Sequence, residues 1–480
     1  MTIKPHKSWP LSFHGLISQG TIFLSQLSVV ALSSHKLELN DLGKFTVAVG
    51  LVGILNFVIP SGLTTAIQNL RNIGNSGERD DLLIGLVLLP FFLFEFCLGA
   101  ILLQIFSKNG VIQIEPKVFF LCLGISNLAL INGFLYTILR LQGRTKVSLY
   151  TESIGSLFIF CTVLIALLTH PNLHNFLLSS IFGQSLTLLI TLTVVLKNSK
   201  LWVISKYPID YNSRLRGIIL FSYKVSGIAL LSFFSSQLPI FLFGHQSQLR
   251  LAAEYSRSIL ICTIPLTILF TTYSRLYYLP LLKTPRFRLT VYFEKVVVPM
   301  LILVNTIFFL LSVLSLQIVH VLLGTRWLFS PKIISVAAFG AAFQFIFSVL
   351  FMFLESRSKF RYLVVASGIQ ATLLVLSTFA YLNGLLSIEW IYTTPILISI
   401  PVIYLLIRSQ FTKSESSFLR NRIMSSGLIL QLFLICLVAQ NKNLPLPVLV
   451  GLSLLMSGVL FFNRQRIRFF LVIRDLNNAI

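Results

Sequence analysis

His14, Ser18, Thr21, Ser25 and Ser28 recur at intervals of four, three, four and three residues, which places them on one face of a helix. Such a row can line a wet cavity. It can equally serve packing, because small hydroxyls bond the backbone of neighbouring helices and let them approach closely. Lys224 stands about two turns inside an apolar run from Gly217 to Gly244. A cation at that depth costs about 2.5–3.5 kcal/mol on insertion scales, so it faces water, an anion or a partner, unless its stem carries it to the headgroups about 10 Å away. Arg257 follows Glu254 by three residues, a spacing open to either an ion pair or a ligand role. Glu95, within Phe91-Phe92-Leu93-Phe94-Glu95-Phe96, is a candidate for ion coupling, or else a neutral, hydrogen-bonded acid. Glu152 lies within reach of Arg140 or Lys146, and a structural pair is expected. Arg250 sits at a span edge, as interfacial anchors do. Gly50, Gly53, Asn56 and Pro60 weaken one helix enough to let it bend.

These residues sit in a chain that a soluble core cannot accommodate. Of its 480 residues, 55% are hydrophobic and only 11% charged, which marks a polytopic, all-α membrane protein. The net charge of +23 does not indicate nucleic acid, because the basic residues fall in short loops between apolar runs, where they orient helices. Cys97, Cys122, Cys161, Cys262 and Cys436 all lie in apolar runs without disulfide or zinc spacing, so buried packing roles are expected. The first apolar run is too long for a signal-peptide core and reads as an uncleaved anchor.

About fourteen spans can be read along the chain: 12–33, 46–66, 82–106, 118–139, 149–169 and 176–196, then 217–243, 253–274, 296–318, 331–353, 363–384 and 390–407, with 423–439 and 445–463 at the end. They divide the chain into a first lobe at 1–196, a basic cytoplasmic linker at 197–216, a second lobe at 217–411, and an appended pair of helices with a tail at 412–480. With the amino terminus inside, 28 Lys and Arg residues fall in cytoplasmic segments and 8 in the opposite loops. That bias sets both termini in the cytoplasm.

The lobes read as copies. Pro116-Lys117-Val118 opens the fourth span and Pro331-Lys332-Ile333 the tenth; Ser25-Gln26-Leu27 in the first lines up with Ser236-Gln237-Leu238 in the seventh. Six spans per copy make this a parallel repeat, an arrangement that encloses a central site. The chain has no phosphate-binding Gly-rich loop with its lysine, no HExxH and no long insertion between spans. A transporter without resident cofactor or metal is therefore expected, and not an enzyme.

Leu42-Gly43-Lys44-Phe45 after the first span, Leu322-Leu323-Gly324 with Trp327 before the tenth, and the short basic loop from Gly143 to Lys146 occur in the order and places they take in a known group. The chain resembles, over nearly its whole length, the multidrug/oligosaccharidyl-lipid/polysaccharide (MOP) superfamily, and within it the bacterial flippases for O-antigen and other polysaccharide repeat units. Drug exporters of that superfamily often carry an acid in the first helix, whereas the span from Ser12 to Ser33 has none. Lipid II flippases use an arginine cluster, where this first helix offers only His14. The resemblance implies an inner-membrane protein that moves undecaprenyl-pyrophosphate-linked oligosaccharide by alternating access, with a polysaccharide polymerase and a chain-length regulator as partners. Lys224, helped by Arg257, would neutralise the pyrophosphate, and the His14 to Ser28 face would meet the sugars. The alternatives are a cation-coupled exporter of drugs or small metabolites and a membrane-embedded polymerase or glycosyltransferase.

Overall fold

The computed structural model describes residues 9–55, 97–99, 101, 115–141, 144–198, 230, 233, 236–245, 248–283, 298–356 and 360–399. Lys224, Glu95, Asn56, Pro60, Cys436, most of the 197–216 linker and everything beyond 399 lie outside them. The described residues are helical, with no strand among them. The helices are α1 (Trp9–Lys36), α2 (Leu39–Leu55), α3 (Pro116–Leu141), α4 (Thr145–Thr169), α5 (Leu173–Asn198), α6 (Leu249–Lys283), α7 (Val298–Val313), α8 (Ser315–Leu322), α9 (Ser330–Ser356) and α10 (Phe360–Leu382). Six of them (α3, α4, α5, α6, α9 and α10) contain stretches long and apolar enough to cross a membrane.

By compactness the chain divides into one unit at His14–Ser256 and another at Arg257–Ile480 with Met1–Phe13. In the first, α3, α4 and α5 form a three-helix layer. Leu135, Ile138 and Leu139 of α3 enclose Val195 of α5. α4 meets α5 through small residues: a methyl on Gly155 would overlap Thr187, and one on Gly183 would lie 2.8 Å from the Ile159 Cα. Close backbone approach at small residues is how helices pack where lipid removes the hydrophobic drive. Lipid-side positions of α4 and α5, such as Ile165, Leu168, Phe182 and Leu189, are correspondingly exposed and apolar.

The Leu42-Gly43-Lys44-Phe45 motif begins a second, tighter contact. Leu42 is fully buried, and Phe45 meets Phe176 edge to face with centroids 5.4 Å apart. A Cβ on Gly43 would collide with the Leu249 carbonyl. Farther along α2, a Cβ on Gly50 would stand 2.9 Å from the Phe241 ring, and one on Gly53 would overlap Phe233. Gly50 and Gly53 therefore let the Phe241 and Phe233 rings rest directly on the α2 backbone.

In the second unit α9 is the central element. Ile333, Ile334, Ala337, Ala338, Ala341 and Phe345 are fully buried along it. Phe270 and Tyr273 of α6 pack on Phe345 edge to face, and the Cys262 thiol lies 3.8 Å from the Ile334 carbonyl. Thr393 donates to the Val336 carbonyl at 2.9 Å and fills the space beside Gly340. α3 and α9 are 26 and 27 residues long, each begins at the Pro-Lys pair read from sequence, and each is followed by a further long helix.

Two expectations are corrected. The span read at 296–318 is broken: α7 ends at Val313, and α8 leaves at 74°. Ser312 donates to the Ser335 carbonyl at 2.7 Å, and Val319 is fully buried, so contacts with neighbouring elements rather than a breaker residue turn the chain. Gly324, at φ 97°, then ends α8 by bonding back to Val319, a conformation that costs glycine little. Trp327 is buried in the turn that follows. Of the cysteines, Cys122 and Cys262 are buried as expected, but Cys97 and Cys161 are exposed, as free, weakly polar thiols on an apolar helix face can be.

Replacing Gly53 by Ala should lower the thermal midpoint of the purified protein through about 1–3 kcal/mol of overpacking. Gly133→Ala, where no atom lies within 4 Å of the added Cβ, should leave it level or raised, as read by size-exclusion after heating. Equal midpoints for the two variants would show that the α2 contact is loose.

Candidate substrate pathway

The hydroxyl row on α1 divides into a sealed end and an open end. Ser18 is buried and donates to the Leu149 carbonyl of α4 at 2.9 Å. The Ser153 hydroxyl reaches the Ser18 oxygen at 2.7 Å and the Leu149 carbonyl at 2.9 Å. These bonds lock α1 to α4. Thr21 is half-buried and bonds back to the Ile17 carbonyl at 3.0 Å, Ser25 is buried, and Ser28 is half-buried. His14 lies within α1. The row is thus a helix face, as its spacing requires, and its Ser18 end is engaged in packing.

Ion pairs link acids and bases at three places on the described helices. On α3, the Arg140 Nη2 donates to Glu152 Oε2 of α4 at 2.6 Å and its Nε to the Ser148 hydroxyl at 3.1 Å, while Ser148 donates to the Tyr136 carbonyl. Both charges are about three-quarters buried, so this is a charge-assisted bond with partial protection from solvent. The pairing expected from sequence is the one found. On α6, Arg250 Nε stands 3.3 Å from Glu254 Oε1, and that glutamate is fully buried. Arg257, one turn on, is itself 95% buried. Glu254 therefore takes Arg250, four residues earlier, as a partner.

Near the start of α2, Lys44 lies 3.2 Å from Glu115 and 3.7 Å from Asp41. The hydrogen bond to Glu115 raises the Lys44 ammonium above its ordinary range, against a smaller opposing effect of burial. Its contribution is fully present below the ordinary lysine pKa and is lost only as pH climbs through the raised value, so the pair persists at physiological pH. Glu115 is more than half exposed, and such pairs contribute little stability.

Sequence reading overlooked the carboxamides. The Asn132 Nδ2 of α3 donates to both the Gln184 carbonyl and its Oε1 on α5, at 3.2 and 3.0 Å. The signal was available as Asn and Gln in mid-span, where their cost demands a partner. Among the described residues no three His, Cys, Asp or Glu side chains converge as a metal site.

With this geometry in view, comparison with solved structures places the fold. The chain superposes on the lipid II flippase MurJ in an inward closed conformation with a TM-score of 0.66 and 14% identity, covering 97% of this chain and 99% of that one. It superposes on a point mutant of the Vibrio cholerae MATE transporter VcmN with a TM-score of 0.57 and 13% identity over 84% and 96% of the two chains. At these identities the likeness establishes the fold alone, a multi-pass helical fold shared with these two membrane proteins. No family model and no curated protein sequence matches the chain.

Because its hydroxyl is already spent on α4, Ser18→Ala should cost about 1 kcal/mol of stability and leave transport per folded molecule unchanged. A selective loss of transport at unchanged thermal midpoint would return Ser18 to the substrate surface.

Proposed function

We propose that the protein is a flippase carrying an undecaprenyl-pyrophosphate-linked oligosaccharide, an O-antigen or other polysaccharide repeat unit, from the cytoplasmic to the outer leaflet of a bacterial inner membrane. The extent of the fold supports this reading: the likeness to a flippase for a lipid-linked substrate spans almost all of both chains, whereas the likeness to the exporter leaves part of this chain unmatched. The basic, acid-poor spans favour an anionic cargo over an organic cation. Lys224, with Arg257, holds the pyrophosphate, the open part of the α1 face meets the cargo, and Glu95 is the candidate for ion coupling. The lipid tail stays in the bilayer, and both termini are cytoplasmic. A polymerase and chain-length regulator take up the product.

The work of translocation is shared between the halves of the sequence, 1–196 and 217–411. The α2 glycines meet residues 233–249 without room for a methyl group, a contact well suited to closing one side of the membrane and parting as a whole. An inside-negative potential favours outward movement of an anion by about 2.3 kcal/mol per charge per 100 mV.

Flipping is measured in proteoliposomes by the access an impermeant sugar-modifying reagent gains to a lipid-linked oligosaccharide. Lys224→Ala should lose about 1.5–3 kcal/mol of phosphate contact, a ten- to hundredfold fall in rate. Full activity of that variant would remove Lys224 from the mechanism, and activity on organic cations alone would favour the exporter.

A Cβ on Gly244 would stand 3.7 Å from the Val47 Cβ, within disulfide range. Val47→Cys with Gly244→Cys should therefore cross-link on oxidation, stop flipping, and recover it with reductant. Undiminished flipping by the cross-linked protein would show that this contact does not open.

A further inference from the structure

The α9 and α10 helices carry a polar opening that the α1 row and the basic residues do not explain. Gln344 lies midway along α9 and Gln370 midway along α10, joined by a 2.8 Å hydrogen bond from the Gln370 Nε2 to the Gln344 Oε1. Both side chains are half-buried. Their position on the helices says what the open half faces. The exterior side of α10 is marked by exposed Val365, Leu376 and Phe379; Gln370 lies on the opposite side, one turn from buried Ala366, Ser367 and Leu374. A half-buried carboxamide on that covered face is turned to the protein interior. Lipid cannot be the neighbour there without leaving amide groups unsatisfied at several kcal/mol each.

The chemistry of the opening is neutral. The hydrogen bond uses the Gln344 oxygen and the Gln370 nitrogen, so the remaining groups of the pair are an amide nitrogen, a donor, and an amide oxygen, an acceptor. The Ser367 hydroxyl, 99% buried and one turn before Gln370, has no hydrogen-bond partner among the described residues. Ser348 follows Gln344 by one turn and is half-buried, as are Phe343 and Phe351. A paired donor and acceptor matches two adjacent hydroxyls of a sugar, and aromatic ring faces offer a surface for its apolar C–H face. A pyrophosphate would require cations, and Gln344, Ser348, Ser367 and Gln370 supply none.

We infer that Gln344 and Gln370 line the transport cavity and bind the glycan of the lipid-linked substrate. This rests on the flippase reading above, and it assigns the sugar contact to a second place besides α1.

The test uses the full-length protein in proteoliposomes, with Gln344→Cys and Gln370→Cys examined separately and Ser348→Cys as a smaller change on the same flank. A charged, membrane-impermeant methanethiosulfonate is applied to both sides, and its adducts are read peptide by peptide by mass spectrometry, so the native cysteines stay in place. The introduced cysteines should react. An undecaprenyl-pyrophosphate-linked oligosaccharide at about ten times its Kd should slow the reaction about tenfold, and undecaprenyl pyrophosphate without sugar should not. Absence of labelling at all three positions in folded protein overturns the cavity, and equal protection by the two lipids overturns glycan binding. Wild-type flipping is measured alongside. Flipping with unreactive cysteines sinks this inference alone, whereas reactive cysteines without flipping of any glycolipid sink the flippase reading.

Discussion

The α2 helix is held against residues 233–249 by the absence of side chains. Gly43, Gly50 and Gly53 remove three Cβ atoms in succession, and Leu249, Phe241 and Phe233 occupy the space. In water such contacts would be supported by apolar burial; between helices in lipid they rest on van der Waals fit and have no such reserve. A fit of that kind is strong only in register, which makes it a natural place for a contact that must either close fully or part. It also joins the start of the second sequence half to the first, so the compact unit runs on to Ser256.

Charge is handled by the same economy. The Arg140–Glu152 and Arg250–Glu254 pairs place each acid on a base across a helix junction or one turn away. Burying an unpaired charge would be prohibitive, while a paired and hydrogen-bonded one is tolerated. The acids thereby committed leave a described framework that is basic in balance, and an anionic cargo suits it. The neutral opening at Gln344 and Gln370 complements that framework, because a lipid-linked oligosaccharide has an anionic end and a hydroxylated end that call for different partners.

Gly50 and Gly53 read from sequence as points where a helix can bend; in the structure they are points where a helix is tightly seated. The two roles share a residue type, and only the Phe241 and Phe233 rings opposite them decide between the two. Ser18 presents the same ambiguity, which the Leu149 carbonyl and Ser153 resolve in favour of packing.

The sequence by itself determined the class of the protein. Long apolar runs in a chain with so few charges leave helices as the only way to satisfy the backbone in lipid, and the 3.6-residue period put the α1 hydroxyls on one face. The Pro-Lys openings foretold α3 and α9, and the short loop foretold a pair of Glu152 with Arg140 or Lys146, of which the structure forms the first. Tertiary structure decided what periodicity does not encode. The bend between α7 and α8 has no glycine or proline at the break and arises from what Ser312 and Val319 touch. The Gln344–Gln370 pair joins residues 26 positions apart on two helices, and its opening to the interior depends on which face of each helix is covered. A linear pattern fixes a residue's face on its own helix, but what stands opposite that face is a property of the packed whole.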